Sequence, residues 1–171
     1  MTFKYFSGFS LKGEQELFED YILEDDFTVC GFSHGAIKAF EYVYESSSRV
    51  DTLQLFSPAF FQTQDKRFKR TQLMFFKKDE DSYCLNFLEN IAFPLKFKMN
   101  KYFTKGKFEE LDELINYTWD EKKLQEIVDK GVKIEVYLGE EDKIVEAIKA
   151  SEFFRKFATV YFIKEKGHIL K

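Results

Sequence analysis

Short apolar segments alternate with segments of helical periodicity along most of this 171-residue chain. Strands that alternate with helices in this way form parallel sheets with helices packed against them. The order β-α-β-α-β, an insertion, then α-β-α-β therefore predicts an α/β fold. The five predicted strands are Phe3–Phe6, Phe27–Cys30, Leu53–Phe56, Ile134–Leu138 and Val160–Ile163.

The predicted helices lie between these strands. Apolar residues recur with helical spacing over Glu14–Ile22, over Ala36–Tyr44 and over Ile144–Phe157. Thr118-x-x-Glu121 resembles a capping box that opens a further helix, and Gly131 has the place of its C-terminal stop. We predict one domain over residues 1–171, in which residues 59–120 form a helical cap insertion.

Composition and charge exclude several classes of protein. Two cysteines and two histidines do not supply a disulfide framework or a multi-histidine metal site, so we expect no metal and no cofactor. The net charge of −4 does not fit a nucleic-acid binder. No apolar run is long enough for a membrane span. The N-terminus lacks the basic segment followed by an apolar segment that is typical of a signal peptide. We therefore expect a cytoplasmic protein without a membrane partner; the oligomeric state stays open, with a monomer expected.

The loop after the second predicted strand has the sequence Gly31-Phe32-Ser33-His34-Gly35, a G-x-S-x-G motif. Between a strand and a helix this motif forms a sharp turn that raises the serine hydroxyl above the sheet edge. The two glycines leave room for the neighbouring strand and helix to approach closely. Ser33 is therefore the predicted nucleophile.

Two further loops supply partners for such a serine, because ligands and catalytic groups gather at the carboxyl ends of parallel strands. Asp142 follows the fourth predicted strand, and Glu141 is the alternative acid. His168 follows the fifth strand. The order Ser33, Asp142, His168 is the nucleophile-acid-base order of one hydrolase fold. In it, the acid orients the imidazole and the imidazole accepts the serine proton.

The oxyanion of such a reaction needs backbone donors. His34 could compete with His168 as base, but its backbone N–H is its more natural contribution, because it directly follows the nucleophile. A second donor is expected in the loop after the first strand. Gly8 and Phe9 are the candidates there, with Phe9 preferred.

The SGF turn at residues 7–9, GFSHGAIKAF around Ser33, LFSPAFF after the third strand and the terminal Gly-His together resemble BioV-type pimeloyl-[acyl-carrier protein] methyl ester esterases. These belong to the α/β-hydrolase superfamily, and the resemblance runs nearly end to end. It implies a small, truncated α/β-hydrolase with a mostly parallel sheet of about five or six strands and a helical cap. The usual first antiparallel strands and last helix have no counterpart in this sequence.

The resemblance also implies a reaction and a partner. A serine carboxylesterase of biotin synthesis would hydrolyse the methyl ester of pimeloyl-[acyl-carrier protein], release methanol and leave the thioester intact. Residues 66–107 carry 11 basic and 4 acidic side chains, a charge that suits an acidic carrier protein. We expect Gly8, Lys66, Arg67, Lys69 and Arg70 to contact substrate or carrier, with Arg67 and Arg70 as the main docking residues.

The chain contains 22 phenylalanines, and some of them are expected to form an apolar channel for the acyl chain. The predicted channel residues are Phe60, Phe61, Phe75, Phe76 and Phe93.

Three other functions remain open on the sequence. The same three residues would serve a carrier-protein thioesterase or a short-chain carboxylesterase. A catalytically silent hydrolase fold could also act as a binding module, although an intact Ser-Asp-His order speaks against it.

Overall fold

The computed structural model describes residues 3–171, and its centre is a five-stranded parallel sheet in the order β1-β2-β3-β4-β5. All five predicted strands are present, with bounds that shift by one or two residues. The strands are β1 (Lys4–Phe6), β2 (Thr28–Phe32), β3 (Thr52–Phe56), β4 (Lys133–Gly139) and β5 (Thr159–Ile163).

Helices occupy the connections between the strands. One lies between β2 and β3, four between β3 and β4, and one between β4 and β5. They are α1 (His34–Glu45), α2 (Lys66–Lys78), α3 (Glu80–Ala92), α4 (Phe108–Asn116), α5 (Glu121–Asp129) and α6 (Ala147–Phe154), and Glu14–Phe18 and Asn100–Tyr102 form short 3₁₀ helices.

Alternate residues of each strand pack on opposite faces of the sheet, as the period of two dictates. Val29, Leu53 and Val136 face a core shared with α1, α5 and α6. On the opposite face, Phe32 and Phe56 pack against Phe18, and the Phe18 and Phe56 rings stack with centroids 4.9 Å apart. Both faces are covered, which explains why the central strands are nearly continuous apolar runs.

Three predicted helical features differ from the structure. The predicted helix Glu14–Ile22 is a 3₁₀ helix that ends at Phe18. The predicted Thr118 cap is wrong, because Asp120 caps α5 by accepting from the Lys123 N–H at 3.0 Å. The helix predicted over Ile144–Phe157 is shorter, since Asp142 holds the preceding backbone in a turn.

Helix α5 ends as predicted. Gly131 has φ 87°, the left-handed conformation in which glycine has no steric penalty. No helix among residues 3–171 is long and apolar enough to cross a membrane. The segment between β3 and β4 contains α2 to α5, and the division into cap and hydrolase parts at residues 59–120 stays a prediction.

We expect Gly35→Ala to lower the free energy of unfolding by about 3 kcal/mol or more, because its Cβ would overlap the Phe6 carbonyl oxygen of β1. Gly13→Ala is the matched control. Gly13 has φ 69° and open space around its Cβ position, so only the backbone penalty of about 1 kcal/mol applies. Urea unfolding followed by circular dichroism measures both, and equal losses would contradict the packing argument.

Candidate active site

The G-x-S-x-G segment forms the sharp turn that its sequence predicts. β2 ends at Phe32, α1 begins at His34, and Ser33 between them has φ 54° and ψ −113°. A Cβ on Gly31 would overlap the Gly35 carbonyl, and a Cβ on Gly35 would overlap the Phe6 carbonyl. Both glycines are therefore required by backbone packing, because no side chain fits between these segments.

Backbone hydrogen bonds hold Ser33 in this unusual conformation. Its N–H donates to the Phe56 carbonyl at the end of β3 (2.9 Å). Its carbonyl accepts from the N–H groups of Ala36 and Ala59, each at 3.1 Å. The strained turn is thus fixed by β3 and by the loop that follows it, which is how such conformations persist at functional sites.

Ser33, His168 and Asp142 form one continuous hydrogen-bonded chain. The Ser33 Oγ lies 3.0 Å from His168 Nε2, and His168 Nδ1 lies 2.6 Å from Asp142 Oδ2. The side chains of His168 and Asp142 are fully buried. Since Nδ1 faces a carboxylate, the hydrogen-bond network assigns it the proton and leaves Nε2 free to accept from the serine hydroxyl.

The loop after β4 presents Asp142 rather than the alternative acid Glu141. Asp142 Oδ1 accepts from the N–H groups of Ile144 (2.7 Å) and Val145 (3.0 Å), so the carboxylate cannot rotate freely. Glu141 is exposed, and its backbone N–H donates to the Lys166 carbonyl. One residue therefore both closes a local turn and orients the imidazole.

Ser57, a residue that the sequence reasoning missed, fixes the backbone of His168. Its Oγ donates to the His168 carbonyl at 2.6 Å, and its own φ is 41°. The following residues Ile169 and Leu170 are buried on the sheet face and hold the end of the loop in place. The Ser-Pro dipeptide directly after β3 was the available signal, because it places a hydroxyl at the same sheet edge.

The two candidate oxyanion donors of the first loop differ in their hydrogen bonds. The Gly8 N–H donates to the Glu14 carboxylate at 2.9 Å. Within the described chain the backbone N–H groups of Phe9 and His34 have no acceptor. Gly8 also packs against the Phe32 ring, so this loop lies beside the Ser33 turn. The structure therefore leaves Phe9 and His34, and not Gly8, with free N–H groups beside Ser33.

A cavity of about 650 Å³ opens onto Ser33. Aromatic and aliphatic side chains line much of it, and neutral amides and charged residues line the rest. The apolar lining residues include Phe9, Phe61, Phe68, Phe87, Leu111, Leu114 and Ile115.

Of the predicted channel phenylalanines, only Phe61 lines this cavity. Phe60 points into the core and contacts Phe153 and Phe154 of α6. Phe76 is buried against other rings, and the adjacent Phe75 is 49% exposed. For Phe60, Phe75 and Phe76 the prediction is wrong, because adjacent residues of a helix or loop point in different directions.

The basic residues of α2 are divided between a groove and the open surface. A second cavity of about 510 Å³ lies between α2 and α4 and is lined by Lys66, Lys69 and Arg70, together with Lys77. Leu73, Met74 and Phe108 add an apolar surface to it. Arg67, predicted as a main docking residue, is exposed and does not line this groove.

His34 is buried, and its ring does not line the Ser33 cavity. Its Nε2 has no hydrogen-bond partner. Burial, together with the nearby Lys38, lowers the pKa of His34 to about 4. A neutral imidazole outside this cavity is not placed to accept the Ser33 proton.

No protein-family model and no curated protein matches the sequence. Solved structures do match: a hydrolase from Oleispira antarctica (TM-score 0.74, 9% identity, covering 99% of this chain and 84% of that one) and BioG from Haemophilus influenzae (0.63, 14%, 98% and 88%). A carboxylesterase from Nitrososphaera gargenis also matches (0.59, 16%, 82%), and the chain spans 57% of its length. The chain has the α/β-hydrolase fold.

We expect acid to destabilise the protein through His34. Between pH 6.5 and 4 an unfolded chain protonates this imidazole while the folded one keeps it neutral, so stability falls as the pH falls. Relative to His34→Gln, the wild type should lose about 3 kcal/mol across this window. Urea unfolding of both proteins at several pH values measures the difference. Parallel stability curves would show that His34 does not titrate in this way.

Proposed function

We propose that this protein is a serine carboxylesterase with Ser33 as nucleophile, His168 as base and Asp142 as the orienting acid. The observation that carries the proposal is the continuous Ser33-His168-Asp142 hydrogen-bonded chain at the mouth of a cavity of about 650 Å³. A nucleophile, a base and a third group that orients the base form the arrangement that activates a hydroxyl for acyl transfer.

The proposed reaction proceeds in two steps. His168 Nε2 accepts the Ser33 proton as Oγ attacks the ester carbonyl, and the backbone N–H groups of His34 and Phe9 donate to the oxyanion. His168 then gives the proton to the departing alcohol, which leaves an acyl-enzyme. Water, deprotonated by the same imidazole, hydrolyses it and restores Ser33. Asp142 stabilises the imidazolium in both steps.

For the substrate we propose the methyl ester of pimeloyl-[acyl-carrier protein], as the resemblance to BioV-type esterases implies. The cavity supports this choice, because its size is typical of sites for small ligands. Its apolar wall, which includes Phe61, Phe68 and Leu114, suits the methylene chain of a seven-carbon acyl group. The reaction would release methanol and leave the thioester intact.

For the partner we propose an acyl carrier protein that docks at the groove between α2 and α4. Four basic side chains surround this groove, and the Lys77 ammonium lies 4.3 Å from the Phe108 ring centroid. Met74 is 56% exposed beside them. A basic rim around an exposed apolar surface complements an acidic partner, and acyl carrier proteins are acidic.

The first test incubates methyl-pimeloyl-[acyl-carrier protein] with the wild type or with Ser33→Ala and records the intact mass of the carrier. We expect the wild type alone to remove the mass of one CH₂ group. The variant should lose several orders of magnitude in turnover, because the nucleophile is absent.

Other outcomes of this test identify the alternatives. Return of the carrier to bare phosphopantetheine would indicate a thioesterase. Turnover of p-nitrophenyl esters without any change of the carrier would indicate a short-chain carboxylesterase. No turnover of any ester by the wild type would contradict the esterase and favour a silent binding module.

The docking site has its own test. We expect Lys69→Glu combined with Arg70→Glu to lower kcat/KM for the carrier-bound substrate by roughly 10-fold or more, since steering by charge is lost. Hydrolysis of p-nitrophenyl acetate should not change. The control variant reverses Lys122 and Lys130, two exposed lysines at α5 that lie outside the groove. Equal losses on both substrates, or in both variants, would contradict docking at this groove.

A further inference from the structure

Glu14 is a fully buried carboxylate beside the first loop. Its Oε1 accepts from the Gly8 N–H at 2.9 Å and from the Tyr5 hydroxyl at 3.2 Å. Its Oε2 is buried and has no hydrogen-bond partner. Burial of a carboxylate with one unpaired oxygen costs free energy, and such groups in native structures call for an explanation.

Glu14 holds the residue directly before Phe9, whose N–H is one of the two free donors beside Ser33. The peptide group at Gly8 could otherwise rotate, because glycine adopts many conformations at little steric cost. The hydrogen bond from the Gly8 N–H to Glu14 Oε1 removes that freedom. The direction of the Phe9 N–H depends on the conformation of Gly8 and therefore on this hydrogen bond.

The far side of the same loop is fixed to the segment that precedes α4. The Ser10 carbonyl accepts from the Thr104 N–H at 3.0 Å, and the Ser10 Oγ accepts from the Gly106 N–H at 3.1 Å. Ser10 itself has φ 56°. Phe9 therefore lies between two anchors, the Glu14 carboxylate on one side and the 104–106 backbone on the other.

We propose that Glu14 is a positioning residue for the oxyanion hole, acting through the Gly8 N–H to aim the Phe9 N–H at the oxyanion that forms on Ser33. The inference rests on the proposed Ser33 chemistry. It explains why an unfavourable buried carboxylate is present in this loop. A small misplacement of an oxyanion donor lowers the rate strongly, and Glu14 prevents that misplacement.

The test measures steady-state kinetics of p-nitrophenyl ester hydrolysis by the wild type, Glu14→Ala and Glu14→Gln. We expect Glu14→Ala to lower kcat by roughly 10- to 100-fold with little change of KM, because the oxyanion exists only in the transition state. Glu14→Gln keeps an oxygen acceptor for Gly8, so its kcat should stay within about 3-fold of the wild type.

The matched control is Glu16→Ala, on the same 3₁₀ helix. Glu16 pairs with Lys101 (2.5 Å) and accepts from the Tyr102 hydroxyl, whereas the Gly8 N–H donates to Glu14. The kcat of Glu16→Ala should equal that of the wild type. Titration with a fluorophosphonate to its end point counts the active sites in each sample, so partial unfolding of a variant does not imitate a catalytic loss.

Two results would overturn the inference. One is a kcat per active site for Glu14→Ala that equals the wild-type value, which would leave Glu14 a purely structural residue. The other is an equal loss in Glu16→Ala. Failure of the esterase proposal itself looks different, because the wild type would then hydrolyse no ester and would not react with the fluorophosphonate.

Discussion

The turn between β2 and α1 holds Ser33 at a positive φ because three backbone hydrogen bonds and two glycines fix its surroundings. Backbone atoms of β1 and α1 approach so closely at Gly35 that no Cβ fits between them. This contact sets the height of the serine hydroxyl above the sheet. The imidazole and the free N–H groups must lie at the right distance from that hydroxyl to interact with it or with a group bound to it. The rest of the site therefore depends on this turn.

The parallel register of the sheet assembles the other groups around this turn. Phe32 pairs with Phe56, and Phe56 with Tyr137, so the ends of β2, β3 and β4 lie side by side. The loops after these three strands contribute the hydroxyl of Ser33, the hydroxyl of Ser57 and the carboxylate of Asp142. Polar side chains are tolerated here because each is hydrogen-bonded within a buried network.

Sequence reasoning succeeded where a local pattern has a local physical cause. Short apolar runs identify the buried strands, and glycines spaced around Ser33 identify a turn. It failed where direction in space matters: Phe60 and Phe76 are as apolar as Phe61, yet only Phe61 reaches the cavity. Apolar character favours burial, but it does not specify which of the several cores or cavities receives the side chain.

The sequence by itself predicted the α/β class, the five strands and the chain order of a serine, an acidic loop and a histidine after successive strands, because hydrophobic periodicity and glycine spacing are properties of neighbouring residues. Only the tertiary structure decided that Phe9 rather than Gly8 keeps a free N–H, and that Glu14 is the acceptor for Gly8. The choice of Asp142 over Glu141 also depended on it. Hydrogen bonds between distant segments have no signature in local sequence, since they exist only after the sheet has brought those segments together.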